Sequence, residues 1–249
     1  WLQVYYPLTA MVLVAMVLVF CSSMTKPSQQ DTPPSIVDGF VDMIKMSIKP
    51  LVLIFVMSVF LYVLIEQGIG SWLPTFYNEV INLPSHISVQ MASIFAASLA
   101  IGRLLAGQIL KFINWHLFLN ICLIGMALII VFLLPLTGAS SGEEIKSIVD
   151  APLVAYLLPL IGLMMAPIYP VLNSVMLSSL ARHKHAPMTG LIVVFSAFGG
   201  TTGSLITGYF FQEVGGKNAF YLALIPMVLL IISLYFFKQE TQKSSVNKS

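Results

Sequence analysis

One carboxylate stands near the end of a long apolar run. In the segment 60–74, FLYVLIEQGIGSWLP, Glu66 follows mostly apolar positions, and Tyr62 and Ser58 precede it at four-residue spacing. Residues four apart share one face of a helix, so these three predict a polar track inside a bundle. An ionisable group at membrane depth is costly, and by default it is a functional candidate that can exchange a proton or bind a polar solute. The alternative is a hydrated carboxylate at the membrane surface.

The residues after Glu66 weaken a helix. Gly68 and Gly70 lower helix stability, and Pro74 lacks the amide hydrogen that a helix interior requires. Irregular backbone at membrane depth occurs only where it is buried in protein or lines a watery cavity. We therefore expect the helix to break after Glu66, so that these residues form a hinge beside a polar site.

Two other segments carry polar residues that could complete such a site. Arg103 lies two helical turns before Lys111, so it could pair with a carboxylate, bind a solute hydroxyl or extend to the aqueous surface. Tyr169 and Asn173 are four residues apart and share a helix face. A phenol and an amide suit a polyol, through hydrogen bonds and stacking on its apolar face. Hydrogen bonds between helices use the same residue types.

Small residues and prolines indicate packing and bending. Small side chains recur every four positions in two segments, which lets helices approach closely. Three prolines, at 159, 167 and 170, are expected to bend or open another span. We assign packing or gating roles to the following residues: Gly68, Gly70, Pro74, Gly102, Gly107, Pro170, Gly199, Gly200 and Gly203.

Several functional classes find no support in the sequence. No zinc-protease helix, phosphate-binding loop, nucleophile elbow or paired-cysteine motif occurs, so we expect no enzymatic activity, cofactor or metal site. The net charge of +2 is too small to imply nucleic-acid binding. Two cysteines are too few for a disulfide framework.

The composition requires a lipid environment for these side chains. The chain is 58% hydrophobic and 9% charged, whereas soluble domains carry about 25% charged residues. A membrane-spanning helix needs about 20 mostly apolar residues. The sequence therefore predicts an all-α integral membrane protein with seven spans, at 1–20, 48–72, 88–110, 116–136, 152–180, 187–211 and 218–237.

The polar segments divide the chain into four parts. We expect a first transmembrane helix at 1–20, a cytoplasmic linker at 21–47, a six-helix bundle at 48–238 and a cytoplasmic tail at 239–249. Ten of the 12 Lys and Arg residues fall on the linker's side of the membrane, which predicts an outside start and a cytoplasmic C-terminus. The sequence begins within a span and shows no signal peptide, so we expect a longer parent protein.

The order of these parts resembles a known family. One span, a long linker and six spans are similar to the sixth helix, central loop and C-terminal half of a major facilitator transporter. FLYVLIEQGIGSWLPTFY (60–77) and ASLAIGRLLAGQILK (97–111) look like the seventh and eighth helices of the fucose–proton symporter family, which includes glucose and galactose carriers. APIYPVLNSVMLSSL (166–180) and FSAFGGTTGSLITGYFF (195–211) resemble its tenth and eleventh helices.

This resemblance implies sugar–proton symport by alternating access in a bacterial inner membrane. The partners would be a monosaccharide, a proton, the lipid bilayer and an N-terminal half that lies outside this chain. The resemblance implies substrate or proton binding by Glu66, Arg103, Tyr169 and Asn173. We assign Tyr62, Gln67 and Trp72 to the same site.

Two departures from the family pattern and two alternatives remain. The loop 107–116 has Lys111 where an Asp is expected and lacks the usual basic pair, which puts its charge-relay role in doubt. The coupling residue could also lie in the other half of the parent. The alternatives are a major facilitator carrier of a non-sugar solute and a seven-helix receptor with its N-terminus outside.

Overall fold

The computed structural model describes residues 2–22, 36–138 and 147–246, which form helices and turns without any strand. Short 3-10 helices at Leu134–Gly138, Ile148–Asp150 and Arg182–Lys184 join some of the longer elements. The α-helices are α1 (Leu2–Cys21), α2 (Ile36–Ser47), α3 (Pro50–Glu79), α4 (Ser85–Ile109), α5 (Trp115–Leu133), α6 (Leu153–Leu157), α7 (Leu160–Met165), α8 (Ile168–Ser179), α9 (His185–Val214), α10 (Gly216–Leu222) and α11 (Leu224–Val246).

Six helical stretches of the described chain are long and apolar enough to cross a membrane. They confirm the last six predicted spans and the all-α membrane fold. The first predicted span corresponds to α1, whose apolar stretch Tyr5–Cys21 is shorter than these six. The six stretches are Pro50–Glu79, Ser85–Ile109, Trp115–Thr137, Leu153–Ser179, Arg182–Val214 and Gly216–Lys243.

The chain divides into two compact units, Trp1–Asp38 and Gly39–Ser249. The first contains α1, and the second contains the six spans. Of the predicted linker, residues 36–47 form α2, whereas residues 23–35 lie outside the described residues. The last helix, α11, continues to Val246, through most of the segment assigned to the tail.

Helix α3 is the central helix of the bundle. It packs mainly on α9 and α11, with further contacts to α4 and α8. Apolar residues occur around its whole circumference, which is typical of a buried helix. Phe55, Val56 and Phe76 are fully buried there.

The small residues of α9 lie where α9 meets α3. A Cβ atom added to Gly203 would lie 2.2 Å from the carbonyl oxygen of Leu64, and one added to Gly199 would lie 2.5 Å from that of Phe60. Both distances are much shorter than a van der Waals contact. The two backbones can approach this closely only because glycine has no side chain.

The predicted helix break after Glu66 is wrong, because α3 continues through both glycines and Pro74 to Glu79. A proline in a helix removes the hydrogen bond to the carbonyl four residues earlier, here that of Gly70, and crowds that position. The turns after Pro74 are held by packing, since Phe76 and Tyr77 are fully buried. The Tyr77 hydroxyl also donates to the Ala155 carbonyl at 3.0 Å. Tertiary packing therefore outweighs the local helix-breaking signal.

Two of the three prolines predicted to bend the span Leu153–Ser179 interrupt it. The span consists of α6, α7 and α8, with breaks at Pro159 and Pro167, as predicted. Pro170 lies in the first turn of α8, where the amide hydrogen has no partner within the helix, so proline is tolerated.

Candidate functional site

Glu66 on α3 and Arg103 on α4 form an ion pair between two spans. Nη2 of Arg103 lies 3.7 Å from Oε1 of Glu66, and the two side chains are 55% and 18% exposed. The neighbouring Gly102 holds α4 close to α7, because a Cβ there would lie 2.4 Å from the Leu163 carbonyl oxygen. Of the three roles considered for Arg103, the structure shows pairing with a carboxylate.

Two tyrosines adjoin this ion pair. The rings of Tyr62 on α3 and Tyr169 on α8 have centroids 5.8 Å apart and planes tilted by 31°. The Tyr62 hydroxyl is buried near the Glu66 carboxylate, but it meets no hydrogen-bond geometry with any described residue. The Tyr169 hydroxyl lies 3.3 Å from Oγ of Ser196 on α9. Side chains from four helices therefore surround one polar region.

Asn173 carries a second buried polar atom without a partner. Its Oδ1 is buried and accepts no hydrogen bond from the described residues. Buried polar atoms are nearly always paired with protein or water. The unpartnered oxygen of Asn173, together with a Tyr62 hydroxyl that has only the Glu66 carboxylate beside it, therefore indicates a region that water or a polar solute would complete.

The residues of the predicted polar face of α3 contact different neighbouring helices. Oγ of Ser58 lies 2.8 Å from Oγ of Ser233 on α11, and it also donates to the Ile54 carbonyl. Ser58 therefore joins α3 to α11, whereas Tyr62 and Glu66 face α8 and α4.

Gln67 and Trp72 lie along the contact between α3 and α9. Gln67 is exposed, accepts a 3.4 Å hydrogen bond from Ser71, and has its Cγ atom beside Gly200. The Trp72 indole donates to the Ser204 carbonyl at 2.9 Å. The structure thus brings Tyr62, Glu66, Arg103 and Tyr169 together, and Trp72 is hydrogen-bonded to α9.

A cavity of about 320 Å³ lies between α4 and α8, with Arg103 in its wall. Gly107 leaves it open, since a Cβ at that position would meet nothing within 4 Å. The sequence analysis missed Ser174 and Trp115 here, and it missed Ser196 as the partner of Tyr169. Ser174 could have been found from the sequence, because it lies four residues after Pro170 and therefore on the same helix face. The lining residues are Arg103, Ala106, Gly107, Leu110, Trp115, Pro170, Val171, Ser174 and Val175.

The described residues offer no metal site. No group of three or more His, Cys, Asp or Glu side chains that could hold an ion occurs in that part of the chain. The charge of the candidate site therefore comes from Glu66 and Arg103 alone among the residues brought together there.

Comparison with known families agrees with this helical architecture. The sequence profile of the Major Facilitator Superfamily matches residues 1–204 and again residues 147–249. The chain therefore belongs to the Major Facilitator Superfamily, a superfamily of secondary transporters. No curated protein matches the chain.

Membership of this superfamily fixes the class of activity. The chain is a multi-pass membrane protein of a superfamily whose members transport small solutes. Membership also points to a transporter rather than an enzyme, and it displaces the seven-helix receptor alternative.

Proposed function

We propose that the chain contributes the sixth helix, central linker and C-terminal half of a sugar–proton symporter. The support is the family membership, the six spans and the resemblance of four segments to sugar–proton symporter helices. Alternating access requires two halves that rock about a site near the membrane midplane, so transport would need an N-terminal half as well. The proposed topology has an outside start and a cytoplasmic C-terminus in a bacterial inner membrane.

The observation that carries the proposal is the ion pair between Glu66 and Arg103 beside the ring pair of Tyr62 and Tyr169. Aromatic rings suit the apolar face of a sugar, and ionised groups suit its hydroxyls. The unpartnered oxygen of Asn173 could accept a hydroxyl hydrogen. We expect Gln67, which is exposed on the next position of α3, to contact the solute from the same half.

Proton coupling would follow if a proton and the Arg103 guanidinium compete for the Glu66 carboxylate. When Glu66 takes a proton, its attraction for Arg103 disappears, and the guanidinium is free to donate to sugar hydroxyls. Binding of sugar by Arg103 would in turn favour the protonated carboxyl group, because coupling between two ligands is reciprocal. The separation of 3.7 Å and the partial exposure of both side chains make this pair easy to open.

The test is uptake of a panel of monosaccharides by the whole transporter in vesicles, with and without an inward proton gradient. We expect at least one sugar to accumulate only when the gradient is present. Uptake of no sugar under either condition would remove the substrate proposal. Uptake that is insensitive to the gradient would remove the coupling proposal and leave the sugar proposal standing.

A carrier of an anionic solute is the second candidate. Arg103 is far more exposed than its partner and lines the 320 Å³ cavity, so one positive charge is available there for a carboxylate or phosphate. The same panel distinguishes the candidates when sugar acids and organic carboxylates are included. Preference for the anionic compounds, lost in Arg103→Gln, would favour this second candidate.

A further inference from the structure

Tyr62 is the most deeply buried residue of the candidate site. It is 1% exposed, whereas the side chains of Glu66 and Arg103 are 18% and 55% exposed. Tyr169, whose ring lies against that of Tyr62, is only partly buried. The residues that bury Tyr62 all belong to this chain. A solute in the open part of the site can therefore touch Arg103, Glu66 and Tyr169, whereas Tyr62 is out of its reach.

Helix geometry places the Tyr62 hydroxyl beside the Glu66 carboxylate. The two residues are four apart on α3, and helical side chains lean towards the N-terminus, so Glu66 extends back towards Tyr62. The hydroxyl has the carboxylate beside it but completes no hydrogen bond with a described residue. A buried hydroxyl that stays unpaired is costly. The Glu66 carboxylate is the neighbouring group that can relieve this cost by accepting its hydrogen.

The Glu66 carboxylate lies between two donors, and neither of them holds it fully. The nearest nitrogen of Arg103 is 3.7 Å away, which is longer than a charge-assisted hydrogen bond. A guanidinium only donates hydrogen bonds, whereas a phenol both donates and accepts them. Arg103 can therefore pair only with ionised Glu66. Tyr62 can donate to the ionised carboxylate and can also accept the hydrogen of the protonated carboxyl group.

We propose that Tyr62 is the positioning residue for proton exchange on Glu66. When Arg103 leaves the carboxylate for a solute, the Tyr62 hydroxyl keeps the Glu66 side chain hydrogen-bonded in either protonation state. The proton passes between Glu66 and water, and Tyr62 keeps its own. This inference rests on the proposed proton coupling through Glu66. It gives the two tyrosines different tasks, because Tyr62 holds the carboxyl group and Tyr169 faces the solute.

Infrared difference spectroscopy of the whole transporter tests this proposal without any solute. Vesicles are brought from neutral to acidic pH, and the C=O stretching band that appears in the wild type but not in Glu66→Gln is assigned to protonated Glu66. A carboxylic acid that loses a hydrogen bond absorbs at a higher wavenumber. We therefore expect this band to move to a higher wavenumber in Tyr62→Phe. The variant keeps the ring and removes a hydroxyl that completes no hydrogen bond, so it should fold like the wild type.

Uptake of a transported sugar from the monosaccharide panel gives a second readout. In Tyr62→Phe, the maximal rate of gradient-driven uptake should fall by about tenfold or less, the scale of one hydrogen bond. The KM should stay at the wild-type value, because Tyr62 does not touch the solute. Exchange of internal for external sugar without a gradient should continue, since exchange requires no proton to leave Glu66.

Tyr77→Phe is the matched control. Tyr77 is as deeply buried on α3, but its hydroxyl donates to the Ala155 carbonyl, so this change should leave the Glu66 band in place. An unmoved band in Tyr62→Phe, or an equal shift in Tyr77→Phe, would overturn the proposal and leave the proton coupling standing. A raised KM with an unchanged maximal rate in Tyr62→Phe would do the same. Absence of any band that Glu66→Gln removes would instead overturn the proton coupling through Glu66, and this inference with it.

Discussion

Arg103 and Glu66 face each other across α4 and α3, with 3.7 Å between the nearest nitrogen and oxygen. This distance is longer than a charge-assisted hydrogen bond, and the arginine side chain is more than half exposed. An ion pair of this kind adds little to folding stability. A weak pair in a membrane bundle is well suited to exchange its partner for a proton or a solute.

The first prediction concerns the stability contribution of this pair. Glu66→Gln, Arg103→Gln and the double variant should give a coupling free energy of about 1 kcal/mol or less, because the 3.7 Å separation is too long for a charge-assisted hydrogen bond. The measurement is denaturant unfolding in detergent for all three variants and the wild type. A coupling of several kcal/mol would show instead that the pair is a structural link between α3 and α4.

The second prediction separates the ring of Tyr169 from its hydroxyl. Tyr169→Phe keeps the ring contact with Tyr62 and removes the contact with Ser196, so we expect the KM for uptake to rise by about tenfold or less, the scale of one hydrogen bond. Tyr169→Ala should raise it further. Ser196→Ala is the matched control, because it removes the same contact and leaves the phenol in place. Equal KM values for all variants would exclude Tyr169 from the binding site.

The third prediction uses the unpartnered oxygen of Asn173. Asn173→Leu keeps the branched shape of the side chain and removes a buried oxygen without a described partner, so thermal stability should be unchanged or higher. Solute affinity should fall, because the hydrogen bond that the solute makes there is lost. Tm in detergent and uptake KM provide the two readouts. Loss of stability with unchanged KM would indicate a purely structural asparagine.

The fourth prediction compares two glycines on α4. Gly102→Ala should destabilise the protein by about 1–3 kcal/mol, because the new methyl group would lie 2.4 Å from the Leu163 carbonyl oxygen. Gly107→Ala meets nothing within 4 Å and should be neutral or stabilising by up to about 1 kcal/mol, since alanine favours a helix. Unfolding of both variants under identical conditions checks this. Equal destabilisation would contradict the close approach of α4 and α7.

The spans could be predicted because hydropathy alone requires them, and the breaks at Pro159 and Pro167 because backbone chemistry favours them. The continuity of α3 through Pro74 could not be predicted from the sequence, since it depends on the burial of residues far apart in sequence. Helical spacing correctly put Tyr62 and Glu66 on one face.

Spacing could not show that Ser58 turns to α11 or that Trp72 donates to α9. Which neighbour a given face meets depends on helix packing, and a single helix does not encode it. The pairing of Arg103 with Glu66 was one of three open alternatives for the same reason.

The most direct test of the central claim is sugar uptake by Glu66→Gln in vesicles of the whole transporter. An amide keeps the size and hydrogen bonding of the side chain but cannot release a proton. We predict that accumulation driven by a proton gradient is lost, while exchange of internal for external sugar without a gradient continues. Glu79→Gln, the same change at the exposed end of α3, should behave like the wild type. Gradient-driven accumulation at the wild-type level in Glu66→Gln would contradict the account.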